Sequence, residues 1–217
     1  MVSKKTSKKT YHHGDLRRAL MDASIEIIGT TGVDSLNLRE VAKVAGVSPG
    51  APYHHFVDRQ EIFTEIAKEG FDLLEANMLH GRDSGRKDSI AKLNAIGKAY
   101  VSFAVTHPGH FRTMFRVDTH NSEDPELTTS GNKAFEILSQ AIAECQKSGQ
   151  APKGDPLPLV LHAWSAVHGL SGLLIDGGIK KIPLPQSKLI EMLTKQIGQM
   201  FEALALKNKE SKQNKRK

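Results

Sequence analysis

Residues 37–56, NLREVAKVAGVSPGAPYHHF, gather side chains with chemistry to offer. Asn37 can cap a short helix, with Glu40 three residues on as its capping-box partner. Ala42 is small where two helices would cross closely. Gly46 stands four residues later, where the turn calls for positive φ. Val47 points back toward a small core. Ser48 caps a second short helix, with Pro49 at the first position, where a missing N–H costs nothing. Gly50 and Ala51 would let that backbone approach the floor of a DNA groove. Tyr53 and His54 carry polar tips able to reach phosphate. Two short helices flanking Ala45-Gly46-Val47 make the pattern of a helix-turn-helix, whose second helix enters the major groove. Pro52, at the fourth helical position, forfeits one backbone bond to the cap, so the first turn is expected to loosen or become 3₁₀.

Charge points the same way. Lys4, Lys5, Lys8 and Lys9, then Arg17 and Arg18, could neutralise phosphates. Residues 1–60 carry nine Lys/Arg against six Asp/Glu, and residues 61–206 carry fifteen against seventeen. Residues 207–217 carry six against one, a run that reads first as a disordered basic tail. The ten histidines raise a metal-dependent alternative. His107 and His110 straddle Pro108-Gly109 and so do not share one helical face. His162 and His168 lie six apart, a poor spacing for joint ligation. No HExxH, GxSxG or Gly-rich phosphate loop is present, so no enzyme activity, metal or cofactor is expected.

The positioning elements read as helices throughout. The chain has 217 residues, 39% hydrophobic and 25% charged, which is globular composition with apolar mass for a core. Alternating strand patterns are almost absent. Apolar residues recur at helical spacing over about nine segments, three short ones at the front and longer ones behind, so the expected class is all-α. Asp58 and Glu61 repeat the capping box and open a long fourth helix that should bridge front and back. Phe135, Leu138 and Ile142 should point inward from a helix over 125–147. Residues 157–175 are apolar nearly all round and should be buried on most sides. No stretch approaches the ~18 uninterrupted apolar residues of a membrane span, and the N-terminus lacks a secretory h-region. A lone Cys145 leaves no disulfide framework. The expected compartment is the cytoplasm, with no membrane partner.

The segments YHHGDLRRALMDASIEII and LNLREVAKVAGVSPGAPYHHFVDRQEIF resemble the N-terminal domain of the TetR family of one-component transcriptional regulators. Farther on, Trp164-Ser165-Ala166-Val167-His168-Gly169-Leu170 resembles the Trp-His-Gly signature of one C-terminal subgroup of that family. The resemblance implies a homodimer on a palindromic double-stranded operator, released by a small-molecule effector, and more often a repressor. It implies phosphate contacts for Asn37, Tyr53, His54 and Arg59, a phosphate or base contact for Arg39, and groove contacts for Ser48, Gly50 and Ala51. Pro49 replaces the more usual polar residue, which removes one base-reading donor, and Pro52 could shift the helix in the groove. Arg39 and the basic arm, including Lys4, Lys5, Lys8 and Lys9, would then matter more, the arm entering the minor groove.

The same resemblance divides the chain into a basic disordered arm over 1–14, a helix-turn-helix domain over 15–60, a helical effector-binding and dimerisation domain over 61–206, and a disordered basic tail over 207–217. It implies a cavity in the third part, with Tyr100, Phe103, Phe111, Met114, Phe115, Trp164 and His168 as candidate lining residues. His168, beside a glycine, is also a candidate for bonding a backbone carbonyl and fixing a helix crossing. The last two long helices form the candidate dimer pair, with Leu189, Leu193, Ile197, Met200 and Leu204 on the interface stripe. A helical DNA-binding protein without an effector stands as the alternative.

Overall fold

Apolar residues spaced at the helical period give eight α-helices in the computed structural model, which describes residues 13–84 and 88–214. They are α1 (His13–Thr31), α2 (Leu38–Val44), α3 (Arg59–Arg82), α4 (Ser89–Thr106), α5 (Pro108–Met114), α6 (Pro125–Ser148), α7 (Leu157–Ile175) and α8 (Gln186–Asn214). Two 3₁₀ turns, Val33–Ser35 and Ala51–His54, lie among the first of them, and no strand occurs among the described residues. The fold is therefore all-α, with a 3₁₀ turn where the spacing suggests a ninth helix. Helix starts are written in the sequence. Asn37, Asp58, Asp88 and Asp124 each accept the backbone N–H three residues on, from Glu40, Glu61, Ala91 and Leu127. Each such cap is worth about 1 kcal/mol.

The helices enclose two hydrophobic cores. The front core joins Leu20 and Ile28 of α1, Leu36, Val41 of α2, Phe56, and Ile62, Phe63 and Ile66 of α3. The rear core joins Leu74 and Met78 of α3 to α4, α5, α6, α7 and α8. Helix α3 thus belongs to both, and the change of core falls between Ile66 and Leu74, within one continuous helix rather than at residue 60. The α1–α3 join is reinforced by charge. Arg17 pairs with Glu65 and, at 3.3 Å, with Glu61, while its guanidinium lies 4.6 Å from the centre of the Phe56 ring. Arg18 pairs with Glu69 at 2.6 Å and Asp22 at 2.5 Å. These two arginines, expected to neutralise phosphates, are held by carboxylates of the protein itself.

Helix α5 is wedged between the halves. Its Gly109 lies so close to α1 that a Cβ there would stand 2.3 Å from the Ile25 carbonyl oxygen. Arg112 donates to the last carbonyls of α1, Ile28 at 3.2 Å and Gly29 at 2.7 Å, and pairs with Asp176 beyond α7 at 3.0 Å. The far end of α5, Met114 with the following Phe115, packs in the rear core.

Three expectations about the rear half change. Helix α8 continues to Asn214, because no Pro or Gly follows Leu206 to stop it. Phe135 is substantially exposed, although Leu138 and Ile142 do face inward. Helix α7 buries only one face in the single chain, through Val160, Ala163, Val167 and Ser171, whereas Leu157, Leu161 and Leu173 stand exposed. By length and composition alone α7 is also apolar enough to cross a membrane, with a mean hydropathy of 1.3 over its apolar window. Here one side of it packs on α4 and α8.

Candidate nucleic-acid interface and body cavity

Helix α2 ends in a Schellman turn: the Val47 N–H donates to the Ala42 carbonyl at 2.9 Å and the Gly46 N–H to that of Lys43 at 3.1 Å. Gly46 adopts φ 70°, a conformation that costs other L-residues about 1 kcal/mol. Nothing lies within 4 Å of where its Cβ would be, so the glycine is needed for conformation, not for space. The following segment is not an α-helix from Ser48. Pro52 has no N–H to give to the Ser48 carbonyl, and that carbonyl instead takes the Ala51 N–H at 2.9 Å, one residue short of an α-turn. The 3₁₀ turn Ala51–His54 that results has no side-chain cap, so the capping role expected of Ser48 is not made.

This geometry sorts the expected DNA-facing residues. Asn37, Arg39, Ser48, Gly50, Tyr53, His54 and Arg59 are all exposed. Asn37 already spends its side-chain oxygen on Glu40 N–H at 2.9 Å. Arg59 donates to the Leu36 carbonyl at 3.0 Å, and its guanidinium lies 5.5 Å from the Phe63 ring centre, so it joins α3 to the segment before α2 as well as facing outward. Ala51 is a correction: it is only 9% exposed, because the tighter turn carries it inward beside buried Pro52. Lys4, Lys5, Lys8 and Lys9 lie outside the described residues.

The rear core contains a cavity of about 550 Å³ between α3, α4, α6 and α7. Of the expected lining residues Tyr100, Met114, Phe115 and Trp164 border it. Phe103, Phe111 and His168 do not, and form the layer behind or beside it. Phe103 is 1% exposed within the rear core. His168 packs between Phe111 and Phe115, with ring centres 5.1 and 4.6 Å away. Its Nδ1 bonds the Tyr100 hydroxyl at 2.9 Å rather than a backbone carbonyl, and the Trp164 indole N–H donates to the same hydroxyl oxygen at 3.3 Å. Burial pushes the Tyr100 phenol well above its ordinary range and holds His168 below its own, so both are neutral near pH 7.

Sequence reasoning missed the polar groups that matter most in this cavity. Asn94 on α4 and His120 on the α5–α6 loop both border it. The Asn94 Oδ1 and both His120 ring nitrogens are buried without a hydrogen-bond partner of normal geometry. Burial keeps His120 below its ordinary pKa, against weaker upward effects of the Met114 backbone and Asp118. Neither residue carries a sequence signal: one Asn on an amphipathic helix and one His in a polar loop look like surface. No Asp, Glu, Lys or Arg lines the cavity among the described residues, and no cluster of three metal-ligating side chains is found among them.

The stripe expected on α8 also divides. Ile190, Thr194, Ile197, Phe201 and Ala205 face the core, and Ile197 is therefore not at an outer surface. Leu189, Leu193 and Met200 are half-buried, and Leu204 is exposed beside Met192. Leu157 and Leu161 on α7 are exposed as well.

Two family models match the chain. Residues 20–66 match the family model described as bacterial regulatory proteins, tetR family. Residues 93–197 match the model described as tetracyclin repressor-like, C-terminal domain. The HTH-type transcriptional regulator AcrR of Shigella flexneri is 38% identical over 64 residues, which is 30% of this chain and 28% of that one. Curated relatives are matched over only 23–52% of their own length. A protein of unknown function from Rhodococcus sp. RHA1 superposes with TM-score 0.74 at 28% identity, over 90% of this chain and all of that one. AibR, solved in complex with isovaleryl coenzyme A and operator DNA, superposes with TM-score 0.69 at 16% identity, over 86% of this chain and 98% of that one. A helix-turn-helix head on a helical body is thus a fold this chain shares with these proteins. The chain belongs to the TetR family.

Proposed function

We propose that this protein is a cytoplasmic transcriptional repressor, not an enzyme, which holds a palindromic operator as a homodimer and releases it when a small molecule enters the body cavity. The observation that carries the reading is the joining of the two sites by α3. That helix packs Ile62, Phe63 and Ile66 beneath the DNA-facing segment and presents Phe71, Leu74 and Met78 to the cavity. Arg39, Ser48, Gly50, Tyr53 and His54 supply the groove and backbone contacts, with Asn37 and Arg59 at the phosphates and the basic arm ahead of α1. A symmetric operator needs two such faces ~34–36 Å apart. The exposed leucines of α7 and α8 suit that assembly, since a twofold axis would cover each stripe with its own copy.

A ligand pressing on α3, or on Met114 and Phe115 at the end of α5, would be felt at α1 through Gly109 and Arg112. Tilting the two heads would change their spacing and lower DNA affinity. A neighbour of the same fold, AibR, was solved in complex with isovaleryl coenzyme A and operator DNA, which supports looking for an organic effector here. The test is a gel shift on a duplex bound by the protein, repeated across a panel of small molecules. Release of the duplex by at least one compound is expected. Retention of the duplex with every compound, including compounds shown to bind the protein, would favour an effector-free DNA-binding protein instead.

A further inference from the structure

The polar atoms around the cavity differ in what they still lack. Tyr100 is satisfied by Trp164 and His168. Thr194 donates to the Ile190 carbonyl of its own helix at 2.9 Å. Ser122, Thr128 and Asn132 stand exposed at the mouth between the α5–α6 loop and α6, where water serves them. His120 is different: it is only 6% exposed, and although the Met114 backbone draws on the ring, neither nitrogen makes a hydrogen bond of normal geometry. The Asn94 Oδ1 is likewise buried and unpaired. A buried polar group left unpaired is destabilising, so these atoms mark places where a bound molecule gains by supplying a hydrogen bond.

Resting on the ligand-released reading above, we infer that the cavity takes an uncharged amphipathic molecule whose apolar body lies among Phe71, Leu74 and Trp164 and whose hydroxyl group pairs with His120. Three observations select an uncharged head group. No charged side chain lines the cavity among the described residues, so an anionic or cationic head would be desolvated without a counter-charge. A neutral imidazole offers one donor and one acceptor, which a hydroxyl matches atom for atom. The Asn94 Oδ1 accepts only, so it can take a second donor from the ligand but repels a carboxylate. Isovaleryl coenzyme A, the ligand of AibR, carries phosphates that would have to stay outside this cavity.

His120 is also placed to report occupancy. The backbone N–H of its neighbour Asn121 donates to the Thr64 hydroxyl at 3.0 Å. Thr64 is on α3, next to Phe63 of the front core. A hydroxyl drawing on His120 therefore acts one residue from the tether between the loop and the bridging helix.

Trp164 is the only tryptophan in the chain and borders the cavity, so its fluorescence reads binding directly on the free protein. Decanol, decanoate and decylamine share one apolar tail and differ in head group. At neutral pH the wild-type protein should bind decanol about tenfold or more tighter than either charged analogue. His120→Phe should weaken decanol about tenfold, and His120→Gln, which keeps a neutral donor and acceptor, should retain most of the affinity. Equal or tighter binding of decanoate or decylamine to wild type overturns the proposal alone, whether or not the variants fold. So does decanol binding unchanged in a folded His120→Phe protein. No fluorescence change with any of the three removes the cavity as the ligand site, and the proposal falls with it.

Discussion

At the scale of single residues, the DNA-facing surface is decided by which side chains the fold has already committed elsewhere. Arg17 and Arg18 look in sequence like any basic pair near a helix-turn-helix, yet Glu61, Glu65, Glu69 and Asp22 hold them. Those acids lie one turn away or some fifty residues on, and only the α1–α3 packing reveals the second kind. Tyr53, 59% exposed, and His54 are by contrast open, as the sequence implies. If both meet phosphate, Tyr53→Phe and His54→Ala should each weaken binding to specific and random duplexes alike. The slope of log affinity against log salt counts phosphates neutralised by Lys and Arg, so loss of these hydrogen bonds should change it little. Fluorescence anisotropy across a salt series measures this. Lower affinity for one sequence alone, with random duplexes bound as before, would contradict the phosphate assignment. The two most informative cavity residues, Asn94 and His120, were illegible because burial, not type, makes them unusual.

At the scale of elements, the eight α-helices and their caps follow from local chemistry, since Asn or Asp precedes four of the starts and apolar spacing marks the faces. The sequence also carries the warning about the segment after Gly46, because Pro52 cannot complete an α-turn from Ser48; what it does not carry is that the tighter turn buries Ala51. Helix faces in contact are harder to read. On α8, Ile197 and Leu204 both belong to one apolar stripe, and only packing assigns the first to the core and the second to the outside. The open faces of α7 and α8 hold Leu161, 45% exposed, and Leu204, 41% exposed. A leucine fully covered by a partner contributes about 1.5–3 kcal/mol, and twofold symmetry counts each one twice. Leu161→Glu with Leu204→Glu should therefore turn a dimer into folded monomers in sedimentation velocity, with helical content unchanged. A wild-type protein that sediments as a monomer, or a double variant that remains dimeric, would exclude this face.

At the scale of the whole molecule, α3 and α5 make one mechanical unit of two cores. A boundary at residue 60 is a natural reading of the motif, but α3 carries both cores along its length and α5 lies flat on α1 at Gly109. Movement at the cavity wall is thus hard to confine to the rear half. If Asn37–His54 reads DNA and is presented twice with twofold symmetry, the protein has a symmetric sequence preference of its own. That preference is tested most directly by incubating the purified protein with a pool of random-sequence duplexes and sequencing those retained, in parallel with Arg39→Ala. Wild type should enrich an inverted repeat with half-sites about one helical turn apart, and Arg39→Ala should lose or relax that motif. Retained fragments with no common motif, or a single unrepeated half-site, would contradict that preference.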